Sequence, residues 1–119
     1  MASDARHVIA YTAFSDRTDA LSMARAVVER QLAASVQVHE TTSIRPIDGR
    51  LQELTQFVLA MQTATPMIQA LKAHVLGHNQ EQVPEFVVVP IVAANQEYLE
   101  WIDDYVDERR SLTAASDSR

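Results

Sequence analysis

The sequence predicts an α+β domain built from four strands and three helices. Apolar runs rich in β-branched residues alternate with segments of helical spacing, and capping or turn residues separate them. The length of 119 residues suits one domain. Apolar residues make up 47% of the chain and charged residues 22%, which is a globular composition.

Seven elements are expected along the chain. In order they are strand 7–12, helix 16–31, strand 35–44, strand 51–62, helix 65–77, strand 86–91 and helix 95–106. This order contains two split β-α-β units and predicts a ferredoxin-like βαββαβ sandwich with an extra C-terminal helix. We expect residues 1–106 to form the domain and residues 107–119, which are charged and then small and polar, to form a flexible tail.

Start and stop signals set these boundaries. Ser15 or Asp16 can cap the first helix, because both side chains accept a hydrogen bond from a backbone amide of the first turn. The pair Asp48-Gly49 is a hairpin signal, so the third strand returns antiparallel to the second. Thr65-Pro66 resembles a helix start, and Gly77 is suited to end that helix.

Two predicted strands are apolar on both faces. Residues 57–61 and 86–89 carry large apolar side chains at odd and at even positions. Such strands usually lie under cover on both sides. Both crossover helices of this topology pack on one face, so we expect a partner subunit on the other. The alternative is that some of these positions lie at strand ends and need no cover.

The composition also disfavours several kinds of partner. The formal charge is −6 and the arginines are scattered, so no nucleic-acid partner is expected. The longest apolar stretch, 86–94, contains Pro90 and is too short to span a membrane, so no membrane partner is expected. Residues 1–6 lack the apolar segment of a signal peptide, which predicts a cytoplasmic location. The chain has no cysteine, which excludes disulfide and thiolate chemistry.

His74 and His78 are the first candidate metal ligands. A spacing of four places two imidazoles on one helix face, where they could hold Zn or Cu with Glu81 or Glu85 nearby. If the helix ends at Gly77, however, the shared face is lost. The alternative is a pair of solvated histidines near a helix end, where positive charge is mildly favoured.

His39 and Glu85 are the remaining candidates. His39 with Glu40 or Glu53 across the hairpin could form a polar site at a subunit cleft, or these residues could be ordinary cross-strand neighbours. Glu85 could line the same cleft or pair with a nearby cation.

We expect no enzyme, because the sequence shows no activated nucleophile, carboxylate dyad or closed ligand cluster.

Several short segments resemble, in order and spacing, those of the CutA family of divalent-cation tolerance proteins. They are Leu-Ala-Ala-Ser-Val at 32–36, Thr-Ser-Ile at 42–44, Asp-Gly-Arg at 48–50, Val-Pro-Glu at 83–85, Pro-Ile at 90–91 and Tyr-Leu-Glu-Trp-Ile at 98–102. The resemblance runs from about His7 to Val106. Ser35 stands where the family has a cysteine, which removes a soft copper ligand.

The resemblance implies a ferredoxin-like fold and a PII-like homotrimer whose sheets face a threefold axis. It also implies a link to divalent metal tolerance, copper especially, with weak metal binding at subunit clefts. His39, His74, His78 and Glu85 are the residues that we expect near such a site, with Cu or Zn as the ion and no resident cofactor. The alternatives are a small-ligand-sensing or signalling module of similar trimeric shape, and a structural trimer that binds no metal.

Overall fold

The computed structural model describes residues 5–79, 81 and 83–117, with side chains as far as Val106. The elements follow the predicted order. They are β1 (His7–Phe14), α1 (Arg17–Glu29), β2 (Ser35–Ile47), β3 (Arg50–Ala64), α2 (Ile68–Gly77), β4 (Val87–Pro90) and α3 (Gln96–Asp117).

The four strands form one sheet in the order β2-β3-β1-β4, and every neighbouring pair is antiparallel. This arrangement and the helical connections confirm the ferredoxin-like sandwich. The helices α1 and α2 supply the buried residues that pack against one face of the sheet. The core between the sheet and these helices contains, among its largest fully buried side chains, Val27, Leu59, Met61, Met67, Leu71 and Val75.

The cap of α1 and the turn of the β2–β3 hairpin form where the sequence predicts them. Asp16 caps α1, since its Oδ2 accepts a hydrogen bond of 3.0 Å from the Asp19 backbone amide. Asp48 and Gly49 both adopt positive φ, at 52° and 80°, which is the geometry of a tight two-residue hairpin turn. The strands β2 and β3 run further than predicted because their pairing continues without a break to this turn.

The start of α2 differs from the prediction. Thr65 does not cap the helix, because its hydroxyl donates to the carbonyl of Ala5 instead and ties α2 to the start of β1. Residues 65–67 form a single 3-10 turn that leads into α2. Gly77 is the last residue of α2, as predicted.

The last helix begins after Asn95, whose carbonyl accepts from the amides of Tyr98 and Leu99. Its Ile102 and Val106 are fully buried. The structure continues α3 to Asp117, into the segment expected to be a tail, while residues 118–119 lie outside the described part. The flexibility of that segment stays a prediction.

The sheet face opposite α1 and α2 is apolar and partly open. Ile9, Tyr11 and Val58 lie on it half-buried, and Val87 and Val89 are 51% and 43% exposed. We call these five residues the open sheet face. In the described part of the chain, no helix is long and apolar enough to cross a membrane.

Candidate functional site

A cleft of about 410 Å³ opens between α1 and the end of α2. We call it the α1–α2 cleft. Its apolar lining comes from Phe14 at the end of β1 and from Met23 and Ala26 on α1. Its polar lining includes both histidines predicted as ligands, His74 and His78. The volume lies within the range of small-molecule sites.

The two imidazoles of this cleft are in contact. Their ring centroids are 4.5 Å apart, although α2 ends between them at Gly77. The expectation that the end of the helix would separate them is therefore wrong. His78 follows directly as the C-cap residue, and its Nδ1 lies 2.7 Å from the His74 carbonyl oxygen. A carbonyl can only accept, so Nδ1 carries the proton and Nε2 of a neutral His78 keeps its lone pair.

The environment of His74 disfavours its charged form. Burial lowers the pKa of His74 below its ordinary value of 6.5, and the nearby charges of His78 and Arg30 lower it further. At neutral pH the His74 imidazole is therefore uncharged, which is the state in which it can bind a metal ion.

The opposite end of the cleft is acidic. Ser15 donates its hydroxyl to Glu81, with both carboxylate oxygens at 2.8 Å, and so positions that carboxylate at the cleft wall. Asp16 and Asp19 lie beside it at the start of α1. Arg30 contributes a positive charge near His74, at the other end of α1. The cleft is thus polar at both ends, with charges of opposite sign.

The other two predicted ligands lie elsewhere. His39 is exposed on β2 opposite Val58, whereas Glu53 pairs with Ile44 further along the hairpin. His39 and Glu53 are therefore not cross-strand neighbours within one chain, because five residues of strand separate their registers by roughly 16 Å.

Glu85 contributes a backbone hydrogen bond rather than a side-chain contact. Its carbonyl accepts a 2.8 Å hydrogen bond from the buried hydroxyl of Thr12, which anchors the segment before β4. Its side chain is exposed and does not line the α1–α2 cleft. Neither His39 nor Glu85 therefore lines the cleft that holds the two other histidines.

A second cavity of about 430 Å³ lies beside the tip of the β2–β3 hairpin. It is lined by Arg45, Pro46 and Ile47 of β2 and by Glu81 and Val83 of the connection before β4. The Arg45 Nε atom is buried and has no hydrogen-bond partner in the described part of the chain. Glu81 lines both cavities.

Sequence reasoning missed three residues of the α1–α2 cleft. The sequence offers Ser15 only as a cap and Arg30 only as one of its scattered arginines, and it assigns Asp19 to no site. Ser15 and Glu81 are 66 positions apart, so no local pattern pairs them. Within the described residues, no group of three or more His, Asp or Glu side chains is arranged to hold a metal ion.

Fold and cleft together define a small ferredoxin-like α+β domain with a ligand-sized site of mixed charge and an open apolar sheet face. Comparison with known proteins then gives the family. The family model described as "CutA1 divalent ion tolerance protein" matches residues 8–105. The chain therefore belongs to the CutA family, as the resemblance of its short segments indicated.

Individual relatives agree with this assignment. A CutA homolog of Xenopus laevis is 37% identical over 100 residues, covering 83% of this chain and 66% of the relative. The divalent-cation tolerance protein CutA of Thermus thermophilus is 38% identical over 84 residues, covering 70% of this chain and 82% of the relative. The crystal structure of CutA1 from Shewanella sp. SIB1 superposes with a TM-score of 0.80 at 28% identity, covering 85% of this chain and 95% of that one.

The chain covers 66% of the length of the Xenopus laevis relative and 53% of the length of a CutA relative from Arabidopsis thaliana. The Arabidopsis relative is described as chloroplastic, and a CutA of Archaeoglobus fulgidus as periplasmic. The family thus occurs in more than one compartment. The cytoplasmic location stays a prediction for this chain.

Proposed function

We propose that this protein is a homotrimeric divalent-ion tolerance protein that binds Cu²⁺ or Zn²⁺ weakly through His74 and His78. The contact between these two imidazoles is the observation that carries the metal part of the proposal. The ion is the cargo of the protein, and we propose no resident cofactor and no catalytic role.

The donor atoms suit a borderline metal ion. His78 donates its Nδ1 proton to a backbone carbonyl, which is the outer hydrogen bond that usually orients a metal-binding imidazole through its Nε2 atom. His74 is held in its neutral form, so binding requires little proton release from it. Imidazole ligands favour Cu²⁺ and Zn²⁺ over Mg²⁺ and Ca²⁺.

The same site supports weak rather than tight binding. Structural zinc sites use four protein ligands and catalytic ones three, whereas the described part of the chain brings two imidazoles together here. The sequence contains no thiolate that could strengthen a copper site.

Assembly is proposed from the open sheet face. A face formed by Ile9, Tyr11, Val58, Val87 and Val89 exposes apolar surface that a second copy can bury. The family resemblance implies three copies whose sheets face one axis. His39 lies on this same side of the sheet, so in a trimer it belongs to the subunit interface rather than to the α1–α2 cleft.

Calorimetric titration with Cu²⁺ and Zn²⁺ tests the metal proposal. We expect weak, saturable binding that His78→Gln and His74→Gln each weaken at least about tenfold, because each removes one of two donors. His39→Gln is the matched control and is expected to bind like the parent. Parent protein that takes up no metal, or equal losses in all three variants, would contradict assignment of the site to the cleft.

Light scattering tests the assembly. The expected solution mass is three times the 13.3 kDa mass of one chain, at micromolar protein concentration and in the presence of a chelator. A monodisperse monomer would refute the trimer and leave the metal proposal standing.

A further inference from the structure

The α1–α2 cleft carries opposite charges at its two ends, and neither end is explained by the metal proposal. Arg30 lies at the end of α1 beside His74, and Glu81 lies beside Asp19 at the start of α1. Their side chains line one continuous cavity whose middle is formed by Met23 and Ala26. A ligand that filled this cavity would therefore meet a cation, an apolar wall and a carboxylate in turn.

The charged groups at the two ends differ in their existing partners. Within the described part of the chain, no hydrogen bond or ion pair engages the guanidinium of Arg30. Glu81 is positioned by the hydroxyl of Ser15, which is a neutral partner and leaves its negative charge uncompensated. Asp16 is different, because its carboxylate already accepts from the backbone amide of Asp19 as the helix cap. The charged groups of Arg30 and Glu81 are thus available to bind a ligand.

Charge excludes the simplest ligand classes. A polyphosphate would meet the carboxylates of Asp19 and Glu81, and a polyamine would meet the guanidinium of Arg30. A zwitterion satisfies both ends. Each end then forms a charge-assisted hydrogen bond, which is stronger than a neutral one.

Length selects among zwitterions. Eleven residues of helix separate Asp19 from Arg30, a rise of roughly 16 Å. An extended tripeptide spans about 10 Å, and the long side chain of Arg30 can reach inward over the remainder. We infer that the α1–α2 cleft binds an elongated zwitterion of about tripeptide length, with its carboxylate at Arg30 and its ammonium group at Glu81.

This site requires neither bound metal nor a particular oligomeric state. The test is calorimetric titration of the full chain with the tripeptide Ala-Leu-Ala, at neutral pH and in excess EDTA so that metal ions play no part. We expect saturable binding with a Kd of about 0.1–1 mM, as suits a small ligand in an open cleft. Blocking both peptide termini, by acetylation and amidation, is expected to abolish measurable binding.

Peptides blocked at one terminus show which terminus binds at Arg30 and which binds at Glu81. Arg30→Gln is expected to weaken binding of the free peptide about tenfold and to leave binding of the C-terminal amide unchanged from the parent. Glu81→Gln is expected to weaken the free peptide similarly and to leave the N-acetyl peptide unchanged. Arg25→Gln, which removes an exposed arginine of α1 that does not line the cleft, is the matched control.

The result that overturns the inference is equal binding of the free and doubly blocked peptides, or no saturable binding by folded parent protein. If a variant fails to fold, the four peptides on the parent protein alone still decide whether both termini are recognised. Parent protein that binds the peptide but takes up no metal would reject the proposed function and leave this inference intact. The reverse result would reject this inference alone.

Discussion

At the scale of single residues, His74 links the α1–α2 cleft to the stability of the fold. Burial and the adjacent charges of His78 and Arg30 lower its pKa in the folded chain. The unfolded chain therefore binds more protons than the folded chain between the lowered pKa and the ordinary value of 6.5. It follows that the free energy of unfolding rises with pH through this window. The contribution is present above pH 6.5 and is lost as the pH falls through the folded pKa.

His74→Gln is expected to reduce the pH dependence of stability. Urea unfolding at about pH 7.5 and about pH 5 should show a smaller loss of unfolding free energy for the variant than for the parent, because glutamine cannot take up the proton. Protein concentration is held constant, so that any assembly contributes equally. Arg25→Gln, which changes an exposed residue of α1 outside the cleft, serves as the control. Identical pH profiles for His74→Gln and the parent would contradict the argument.

Ser15, Asp16 and Thr65 show which cap predictions can be made from neighbouring residues and which cannot. A cap at Ser15 or Asp16 is predictable, because capping depends on the three residues that follow, and the structure assigns it to Asp16. Thr65 does not cap its helix, although Thr65-Pro66 is a standard helix start. Its hydroxyl bonds to Ala5, a partner 60 positions away that no local pattern reveals.

At the scale of elements, the long β2–β3 hairpin depends on its two-residue turn. Asp48 and Gly49 both require positive φ, and glycine adopts such values without the steric penalty of a Cβ atom. A Cβ atom built at Gly49 meets nothing within 4 Å, so any cost of substitution there comes from the backbone rather than from packing. The pair Asp-Gly was readable from the sequence because a turn of this type is a local structure.

Gly49→Ala is expected to lower the free energy of unfolding by about 1 kcal/mol, the cost of placing a side chain at positive φ. Gly77→Ala is the matched comparison. It also meets nothing within 4 Å, but it lies at the end of α2 without positive φ, so we expect it to be neutral or stabilising by up to about 1 kcal/mol. Chemical denaturation measures both. Equal effects would show that the turn geometry does not matter.

At the scale of the whole molecule, the two faces of the sheet have different environments. The face toward α1 and α2 is filled by the core, whereas the open sheet face keeps Val87 and Val89 about half exposed. The two-sided apolar pattern of these strands was visible in the sequence and predicted a cover on each face. A single chain covers the face toward α1 and α2 and leaves the other face partly open.

Val89→Lys tests whether the open sheet face is the assembly surface. Since Val89 is 43% exposed, the fold of one chain should tolerate the change, while a lysine buried without a partner should disrupt an interface. We expect the mass by light scattering to fall to that of one 13.3 kDa chain with an unchanged circular-dichroism spectrum. Ala73→Lys, at an exposed position of α2, is the control and should retain the parent mass. A trimeric Val89→Lys variant would place the interface elsewhere.

Local patterns in the sequence specify the order of elements, the turn at Asp48-Gly49, a cap at Ser15 or Asp16, and the CutA family. All of these depend on local spacing or on short segments read in order. Tertiary structure decided which polar groups meet. It brought His74 against His78 across the end of α2, joined Ser15 to Glu81, and left His39 and Glu85 outside the cleft. The physical reason is that such contacts depend on how helices pack on the sheet, and neither helical periodicity nor strand alternation specifies the partner of a polar side chain many residues away.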